Sequence, residues 1–579
     1  MITDRIEDGF DLSVKIYVEM ERPLIMKSIV VSVWGKTADE MIAGIKQAEE
    51  FADVIEVRFD SLEESEFDKT IEQISILDCE KPFLATFRPK NEHSRITPSK
   101  IIYESEEAKE LHLKFSGERW QGWFKILNLT NIKYVDLERD IQGCLFWDCV
   151  LMEFAENQDE KNEILQEKRL VGKLGGRELI FSEHFFEGEQ IDLEKIYRDL
   201  AVEEEHKKGT EEFGKFYTAL LKIAAQTDDI SDGLTLWNLL KIAEVENRKL
   251  IPIAMGEAGK WTRILGLAYG APMTYASLET GKEAAPGQIS AKDLRDVYRV
   301  KELTEATEIY GVIGDPVKYS LSPYMQNGAF KTAGVDAVFI PFEVKDLSRF
   351  VTEFIPESGI NLSGFSITIP HKQAIIPFLD EIDETAQVIG AVNTVKIVDG
   401  KLRGFNTDAH GFITPLKKAL NDLTGKKAAI LGAGGAARAC IYALQKEGVE
   451  VTVFARDVEK AQPLKEQFSI KIEQLRTTND ELRTMDIVIN ATPLGTKGEN
   501  EDKTIAVAEQ LKGVTLAYDL VYNPNVTRFM REASEAGVPH VLSGLDMLAE
   551  QGAQQFKIWT GQTAPLDEMK RILSEKFSA

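Results

Sequence analysis

An α/β protein in two parts is predicted, an eight-stranded parallel barrel followed by a second, open α/β unit with its own glycine-turn nucleotide site. Three observations carry this. Eight short apolar runs alternate with helical or irregular stretches between about residues 27 and 280. A charged, helix-compatible stretch near residue 300 separates them from a new α/β pattern. Within that pattern "KKAAILGAGGAARACIYAL" (426–444) reads as apolar strand, glycine turn and helix.

The eight runs are "SIVVSVWG" (28–35), "VIEVRFD" (54–60), "PFLATFRP" (82–89), "KYVDLERD" (133–140), "ELIFSEHF" (178–185), "YTALLKIAA" (217–225), "LIPIAMG" (250–256) and "PMTYASL" (272–278). Near-continuous Val/Ile/Leu strands followed by helices such as "ADEMIAGIKQAEEF" (38–51) point to a parallel sheet, and the count of eight to a closed (β/α)8, or TIM, barrel. Chemistry in such a barrel sits at the carboxyl ends of the strands. Polar residues interrupt the apolar runs at consistent places: Glu56 and Arg58 late in the second, Arg88 and Glu92 at and after the third, His184 at the end of the fifth and Lys222 in the sixth. Arg263 follows the seventh strand and Gln288 the eighth.

Lys222 stands out because Leu220, Leu221, Ile223, Ala224 and Ala225 surround it. An ammonium in such a run either snorkels to solvent or is a lysine whose pKa desolvation lowers, so that its neutral amine attacks a carbonyl.

In the second part the glycine stretch fits G-x-G-x-x-A at Gly432, Gly434 and Ala437, with Ala433, Gly435 and Ala436 completing a backbone cradle for a pyrophosphate at a helix N-terminus. At the end of the next strand, "VTVFARD" (451–457), Arg456 suits a ribose 2′-phosphate, which favours NADP(H), while Asp457 beside it would suit a free ribose hydroxyl. Upstream, "GDPVKYSLSP", "SITIPHK", "GAVNTV" and "GFNTDAHG" bring hydroxyls and amides into short turns. Ser320, Ser322, Thr368 and Asn393 suit a polyhydroxylated anion, and Lys372 with Asp408 an acid/base pair for reducing a ketone.

Composition narrows the partners. Acidic residues number 95 against 69 basic ones among 579, and the resulting charge of −26 disfavours nucleic acid and anionic membrane surfaces. An anionic substrate then depends on locally placed Arg and Lys. The four cysteines lack CxxC or disulfide-framework spacing, and the seven histidines form no metal-binding pattern, so no metal is expected. With an acidic start and no apolar run of membrane-spanning length, a cytoplasmic protein is expected.

The ordered motifs resemble two families. From about 27 to 291, "EVRFD", "TFRPKNE", "SEHF", "LLKIAA", the Arg263 region and "APGQIS" are similar to type I 3-dehydroquinate dehydratase. From about 307 to 579, "YSLSP", "TIPHK", "GAVNT", "NTDAHG", "GAGGAAR", "NATPLG", "DLVYNP" and "GLDMLAEQGAQQFKIWTG" resemble shikimate dehydrogenase, and the tandem resembles the bifunctional shikimate-pathway enzymes. The resemblance implies an extension (1–26), a dehydratase barrel (27–291), a linker (292–306), a substrate-binding domain (307–410, completed by helices at about 545–579) and a Rossmann-like NADP-binding domain (411–544).

It also implies roles. Lys222 would form a Schiff base with 3-dehydroquinate, His184 would act as base and then acid, and Glu92 would orient His184. Arg263 would bind the carboxylate, with Glu56, Arg58, Arg88 and Gln288 holding hydroxyls or neighbouring groups. In the second part Lys372 and Asp408 would supply the proton for reducing 3-dehydroshikimate with NADPH. Ser320 and Ser322 would hold the carboxylate, with Thr368, Asn393, Tyr522 and Gln551 around the ring and Thr492 at the cofactor. The chain departs from the dehydratase pattern at His93-Ser94, where Gly-Gly is usual, and at Ala284, where Ser is common; in the nucleotide site "ARD" replaces Asn-Arg-Thr. The alternatives are a catalytically silent sensor of quinate or shikimate with the same ancestry, or a chain with one active half. Retention of both catalytic sets speaks for the bifunctional enzyme.

Overall fold

The computed structural model describes residues 27–87, 122, 125–138, 178–185, 192–208, 219–475 and 480–578. Eight strands, β1 (Ser28–Val33), β2 (Val54–Arg58), β3 (Phe83–Thr86), β4 (Ile132–Glu138), β5 (Glu178–Phe185), β6 (Ala219–Gln226), β7 (Leu250–Met255) and β8 (Met273–Ser277), build the first part. A two-residue strand, β9 (Ile289–Ser290), joins them in one sheet of order β7-β6-β5-β4-β3-β2-β1-β8-β9. The strands are largely apolar on both faces because both are covered, with buried polar residues such as Glu56, Asp136 and Lys222 as the exceptions. Val30, Val54, Leu84, Tyr134, Ile180, Leu220, Ile251 and Tyr275, one or more from every strand β1 to β8, meet in an interior cluster. Their neighbours along the chain, such as Val31, Ile55, Phe83, Val135, Phe181 and Leu221, face the surrounding helices. The sheet therefore curls into a barrel with a packed interior. Helix α1 (Ala38–Ala48) shows how the outer layer starts: Thr37 accepts from the Glu40 N–H and the Glu40 carboxylate reaches back, a capping box that sets its first turn.

Helices α2 (Leu234–Val245) and α3 (Lys260–Leu265) cover the β6–β7 and β7–β8 side of the barrel. Beyond β9, Leu294, Val300 and Leu303 are buried, and the Leu303 carbonyl accepts from Lys27 Nζ at 2.6 Å. The expected linker segment is thus packed against its surroundings.

The second part begins with β10 (Glu308–Gly314), β11 (Ala337–Glu343), β12 (Leu362–Ile367), β13 (Glu381–Ile382), β14 (Thr394–Val398) and β15 (Lys401–Phe405), ordered β11-β10-β12-β14-β15-β13. Helix α4 (Ser322–Ala333) lies on one face of this sheet. Helix α5 (Asp408–Ala419) leads to a parallel sheet of β16 (Lys427–Leu431), β17 (Glu450–Ala455), β18 (Lys471–Gln474), β19 (Ile487–Asn490), β20 (Leu516–Asp519) and β21 (His540–Leu542), ordered β18-β17-β16-β19-β20-β21. Helices α6 (Gly435–Lys446) and α7 (Val458–Phe468) follow β16 and β17. The chain then returns: α8 (Gly544–Thr560) and α9 (Leu566–Ser578) pack Phe556, Trp559, Met569 and Leu573 onto Tyr310 and Phe339 of the first of these sheets and onto Phe330 of α4.

The two parts share one core. Trp237 of α2 and Trp261 of α3 are both 1% exposed or less, and they are covered from the second part. Trp261 meets Phe354 edge-on with centroids 5.2 Å apart, and Trp237 Nε1 donates to the Ser358 carbonyl at 3.0 Å. The Asn361 N–H donates to Tyr269 Oη at 3.1 Å. The charged segment near residue 300 is therefore not all that joins them: a single buried apolar cluster runs from Ile29 to Leu402.

Two candidate active sites

Lys222 does not reach solvent. It is 2% exposed, and strand phase explains why: Leu220 and Ala224, its same-face neighbours on β6, both belong to the interior cluster. Its ammonium donates to Asp136 Oδ2 at 2.6 Å and lies 4.3 Å from the centroid of the Tyr275 ring. Asp136 is 3% exposed and shares the interior face of β4 with Tyr134. Sequence reasoning missed Asp136. In "KYVDLERD" it stands among charges and reads as solvent-facing, but its phase relative to Tyr134 is the same as that of Lys222 relative to Leu220.

A second polar group fills the neighbouring interior positions. Glu56, 2% exposed, accepts from Ser32 Oγ at 2.5 Å and from Thr86 Oγ1 at 2.8 Å. Gln288 Nε2 donates to Ser32 Oγ at 3.2 Å, and the Ala284 N–H donates to Gln288 Oε1 at 2.7 Å, so the backbone at Ala284 orients Gln288. Arg58 forms a two-pronged pair with Asp60, at 3.0 and 2.7 Å. His184 is half-buried on β5; in register Ser182 faces Lys222 and His184 faces Ala224, so His184 stands one same-face step nearer the carboxyl rim than Lys222. Arg88 and Glu92, with the His93-Ser94 departure, lie outside the described residues.

Arg263 is a buried cation whose donors are poorly used. It is 2% exposed on α3, yet its contacts are long: the Tyr275 and Pro286 carbonyls each accept at 3.4 Å, and Nε is buried without a partner. Among the described residues no carboxylate lies within ion-pair distance. Burial pulls its pKa down to about 10, with only the field of Glu56 opposing. A buried, underused guanidinium is suited to an incoming carboxylate.

The second site lies between the two sheets of the second part. Lys372 Nζ donates to Asp408 Oδ2 at 2.5 Å, with Asp408 at the start of α5 and 4% exposed. Asn393 Nδ2 donates to Asp408 Oδ1 at 2.7 Å, to Thr407 Oγ1 at 3.0 Å and to Gln551 Oε1 at 3.3 Å, which fixes the carboxylate opposite the lysine. Ser320 Oγ accepts from the Ser322 N–H at 3.3 Å and meets the Tyr522 phenol, whose pKa burial pushes up. Thr368 follows β12 and opens the turn that carries Lys372. Lys372, Asp408, Asn393 and Gln551 thus form one hydrogen-bonded group, Ser320, Ser322 and Tyr522 a second, and Thr368 stands on the turn that carries Lys372.

The glycine turn fits a dinucleotide. Gly432 has φ +113°, and a Cβ there would meet Thr492 Cγ2 at 2.9 Å and the Ala491 carbonyl at 3.1 Å. Gly434, at the N-cap of α6, has open space where a side chain would stand, while Ala433, Gly435 and Ala436 continue the turn into the helix. A Cβ on Gly435 would lie 3.3 Å from the Lys372 side chain, so the cradle adjoins the acid/base pair. Thr492 is fixed by Asn490, whose Oδ1 accepts from both its N–H and its hydroxyl. Arg456 is exposed beside an open cleft that Asp457 and Gln474 also line. Asp457 is engaged locally, capping α7 by accepting from the Lys460 N–H at 3.0 Å, a bond that lowers its pKa. Also unforeseen is the Asp519 carboxylate, fully buried, which accepts from Asn490, Thr527 and the Val521 N–H and whose pKa burial raises to about 6.

The type I 3-dehydroquinase family model matches residues 29–305. Models of the shikimate dehydrogenase substrate binding domain, the shikimate / quinate 5-dehydrogenase domain and the shikimate 5′-dehydrogenase C-terminal domain match 312–395, 415–541 and 544–573. The second part is 40% identical over 279 residues to the shikimate dehydrogenase (NADP(+)) of Methanopyrus kandleri, covering 46% of this chain and 96% of that one. A solved shikimate dehydrogenase in complex with NADP+ is 38% identical over 47% of this chain and 96% of its own, with a TM-score of 0.44. The chloroplastic bifunctional 3-dehydroquinate dehydratase/shikimate dehydrogenase of Arabidopsis thaliana spans both parts and is 31% identical over 568 residues, 94% of this chain and 84% of the relative. With both parts matched in a single relative and in the same order, the chain belongs to the bifunctional 3-dehydroquinate dehydratase/shikimate dehydrogenase family.

Proposed function

We propose that the chain dehydrates 3-dehydroquinate to 3-dehydroshikimate in its barrel, residues 27–291, and reduces that product to shikimate with NADPH in residues 307–579. The observation that carries the reading is Lys222, an amine inside a packed barrel with a carboxylate at 2.6 Å to take its proton. In the first reaction Asp136 accepts that proton, the amine adds to the C3 ketone, and the proton returns to the hydroxyl that leaves as water, giving an imine. His184, nearer the rim, takes the C2 proton; the electron pair delocalises into the iminium nitrogen and then expels the C1 hydroxyl, to which His184 returns the proton. Water then hydrolyses the imine. Arg263 holds the substrate carboxylate, and the Glu56, Arg58, Arg88 and Gln288 positions surround its hydroxyls, with Glu92 orienting His184.

In the second reaction bound NADPH supplies the hydride to the C3 ketone. Lys372 protonates the developing alkoxide, and Asp408, held by Asn393, keeps the lysine charged and aimed. Ser320 and Ser322 hold the carboxylate, and Thr368, Asn393, Tyr522 and Gln551 the ring hydroxyls. Gly432 to Ala436 and Thr492 cradle the dinucleotide, with Arg456 at the 2′-phosphate. The free thiols of Cys79 and Cys440 support a cytoplasmic site of action.

The full chain, given 3-dehydroquinate and NADPH, should produce shikimate. Lys222→Ala should stop the first step and leave reduction of added 3-dehydroshikimate intact; Lys372→Ala should do the reverse and accumulate 3-dehydroshikimate. A chain inert on both substrates, or a folded variant at one lysine that loses both activities, would overturn the reading.

A further inference from the structure

The turn that carries Lys372 is tied to the barrel. Residues 344–346, just beyond β11, are gripped from two sides. On one side the Val344 carbonyl faces His371 Nε2 at 2.7 Å; a carbonyl only accepts, so Nε2 carries the proton and donates. His371 is 5% exposed and immediately precedes Lys372. On the other side the Lys345 and Asp346 N–H groups both donate to Asp229 Oδ2, at 2.8 and 3.0 Å. Asp229 belongs to the barrel, three residues beyond the end of β6, and is 5% exposed. Its other oxygen accepts from the Ser231 N–H at 3.0 Å, and its own N–H donates to Asp232, which in turn pairs with Arg349 of the second part at 2.9 Å.

We propose that Asp229 is a positioning residue for the reduction: a barrel carboxylate that sets the place of Lys372 through residues 344–346 and His371. The proposal rests on the reading of Lys372 as the proton donor. Two charge-assisted bonds to one oxygen leave 345–346 little freedom. The carbonyl one residue earlier is then a fixed acceptor for His371. Elsewhere the turn is held by main-chain bonds, with the Lys372 carbonyl accepting from the Val392 N–H at 2.8 Å, and on the dehydrogenase side by the Lys372 bond to Asp408. The His371 ring is therefore the side-chain tether on the barrel side, and its anchor depends on a residue outside the dehydrogenase. A purely structural role, capping the short helix Ile230–Gly233, would instead affect the barrel first.

The test uses the full chain. Asp229→Asn cannot satisfy both the cap and the two N–H groups of 345–346. It should lower kcat for 3-dehydroshikimate reduction roughly tenfold, because small misplacements of an acid cost that much, with both KM values and the dehydratase activity within about twofold of wild type. His371→Leu should do the same, His371→Gln, which can still donate, should restore most of the rate, and Asp229→Asn with His371→Leu should be no worse than the poorer single variant. Hydrogen exchange in 366–376 should rise in Asp229→Asn, a readout that needs no turnover and so separates failure of this proposal from failure of the functional reading. Wild-type kcat and exchange in Asp229→Asn, parallel loss of both activities, or additive losses in the double variant would overturn it. If Asp229→Asn does not fold, the His371→Leu and His371→Gln pair decides from the other end of the same contact.

Discussion

Replacing Arg263 with Met separates what the guanidinium costs the empty protein from what it gives the substrate complex. Burial holds its pKa below the ordinary guanidinium range, at about 10, because desolvation outweighs the field of Glu56. A folded pKa below the unfolded one disfavours folding at every pH where both states are protonated, so the penalty is fully present at pH 7 and is relieved only as pH rises through about 10. The penalty is of the order of a few kcal/mol. Met keeps most of the stem's packing without the charge. The apo form of Arg263→Met should therefore melt at or a few degrees above wild type by scanning fluorimetry. The substrate complex should respond in the opposite sense. Two charge-assisted hydrogen bonds to a carboxylate are worth about 3 kcal/mol or more together, so kcat/KM for 3-dehydroquinate should fall at least about a hundredfold. Reduction of 3-dehydroshikimate should not change. A variant that melts several degrees lower and keeps its kcat/KM would refute the reasoning, because Arg263 would then be a satisfied structural group.

Four further outcomes follow. Asp136→Asn leaves the Lys222 ammonium without its counter-charge, so the melting temperature should drop and the borohydride-trapped adduct with 3-dehydroquinate should form at least about tenfold more slowly; trapping at the wild-type rate would remove Asp136 from proton transfer, whereas His184→Ala should still trap an adduct yet dehydrate poorly. Arg456→Ala should raise KM for NADPH about tenfold with little change for NADH, and equal losses for both would make the arginine structural. Asp519 has a folded pKa of about 6 against 3.8, so it binds its proton more tightly when folded and its contribution to stability declines as pH rises from about 4 to 6. The urea stability of Asp519→Asn relative to wild type should accordingly improve by about 1 kcal/mol between pH 5 and pH 7, and a pH-independent difference would contradict the assignment.

Strand phase made much of the barrel site legible. A lysine between Leu220 and Ala224 must face wherever those residues face, and in a sheet covered on both sides that direction is inward. The same argument, applied to Tyr134 and Asp136, would have found the lysine's partner; the charged neighbours Lys133, Glu138 and Arg139 hid it, since a carboxylate in such company normally faces water. The dehydrogenase motifs were legible because Lys372, Asn393 and Asp408 each sit in or directly after a short polar turn, Asp408 as the first residue of α5, where backbone geometry needs such side chains and the proposed chemistry can use them. Asp229 and His371 were not legible: one reads as a helix cap and the other as a turn residue. Their significance lies in bonds across 116 and 27 residues of chain to the segment around Val344, and no local pattern encodes those.

The shared core separates two ideas that a sequence of two complete motif sets runs together. Chemical independence requires only that each site own its reacting groups, and in the proposed reactions Lys222 with Asp136 on one side and Lys372 with Asp408 on the other meet that condition. Structural independence requires in addition that each part cover its own apolar surface. The barrel does not: Trp237 and Trp261, two of its largest buried side chains, are closed over by Phe354 and by the backbone at Ser358. Stripped of the second part, these rings and the neighbouring Tyr269 would form an exposed aromatic patch of the kind that drives association. Fusing the two enzymes in one chain is therefore not a tether between finished domains. The second part supplies a wall of the first, and the segments that carry Asp229 and Arg263 leave the barrel on the side where that wall stands.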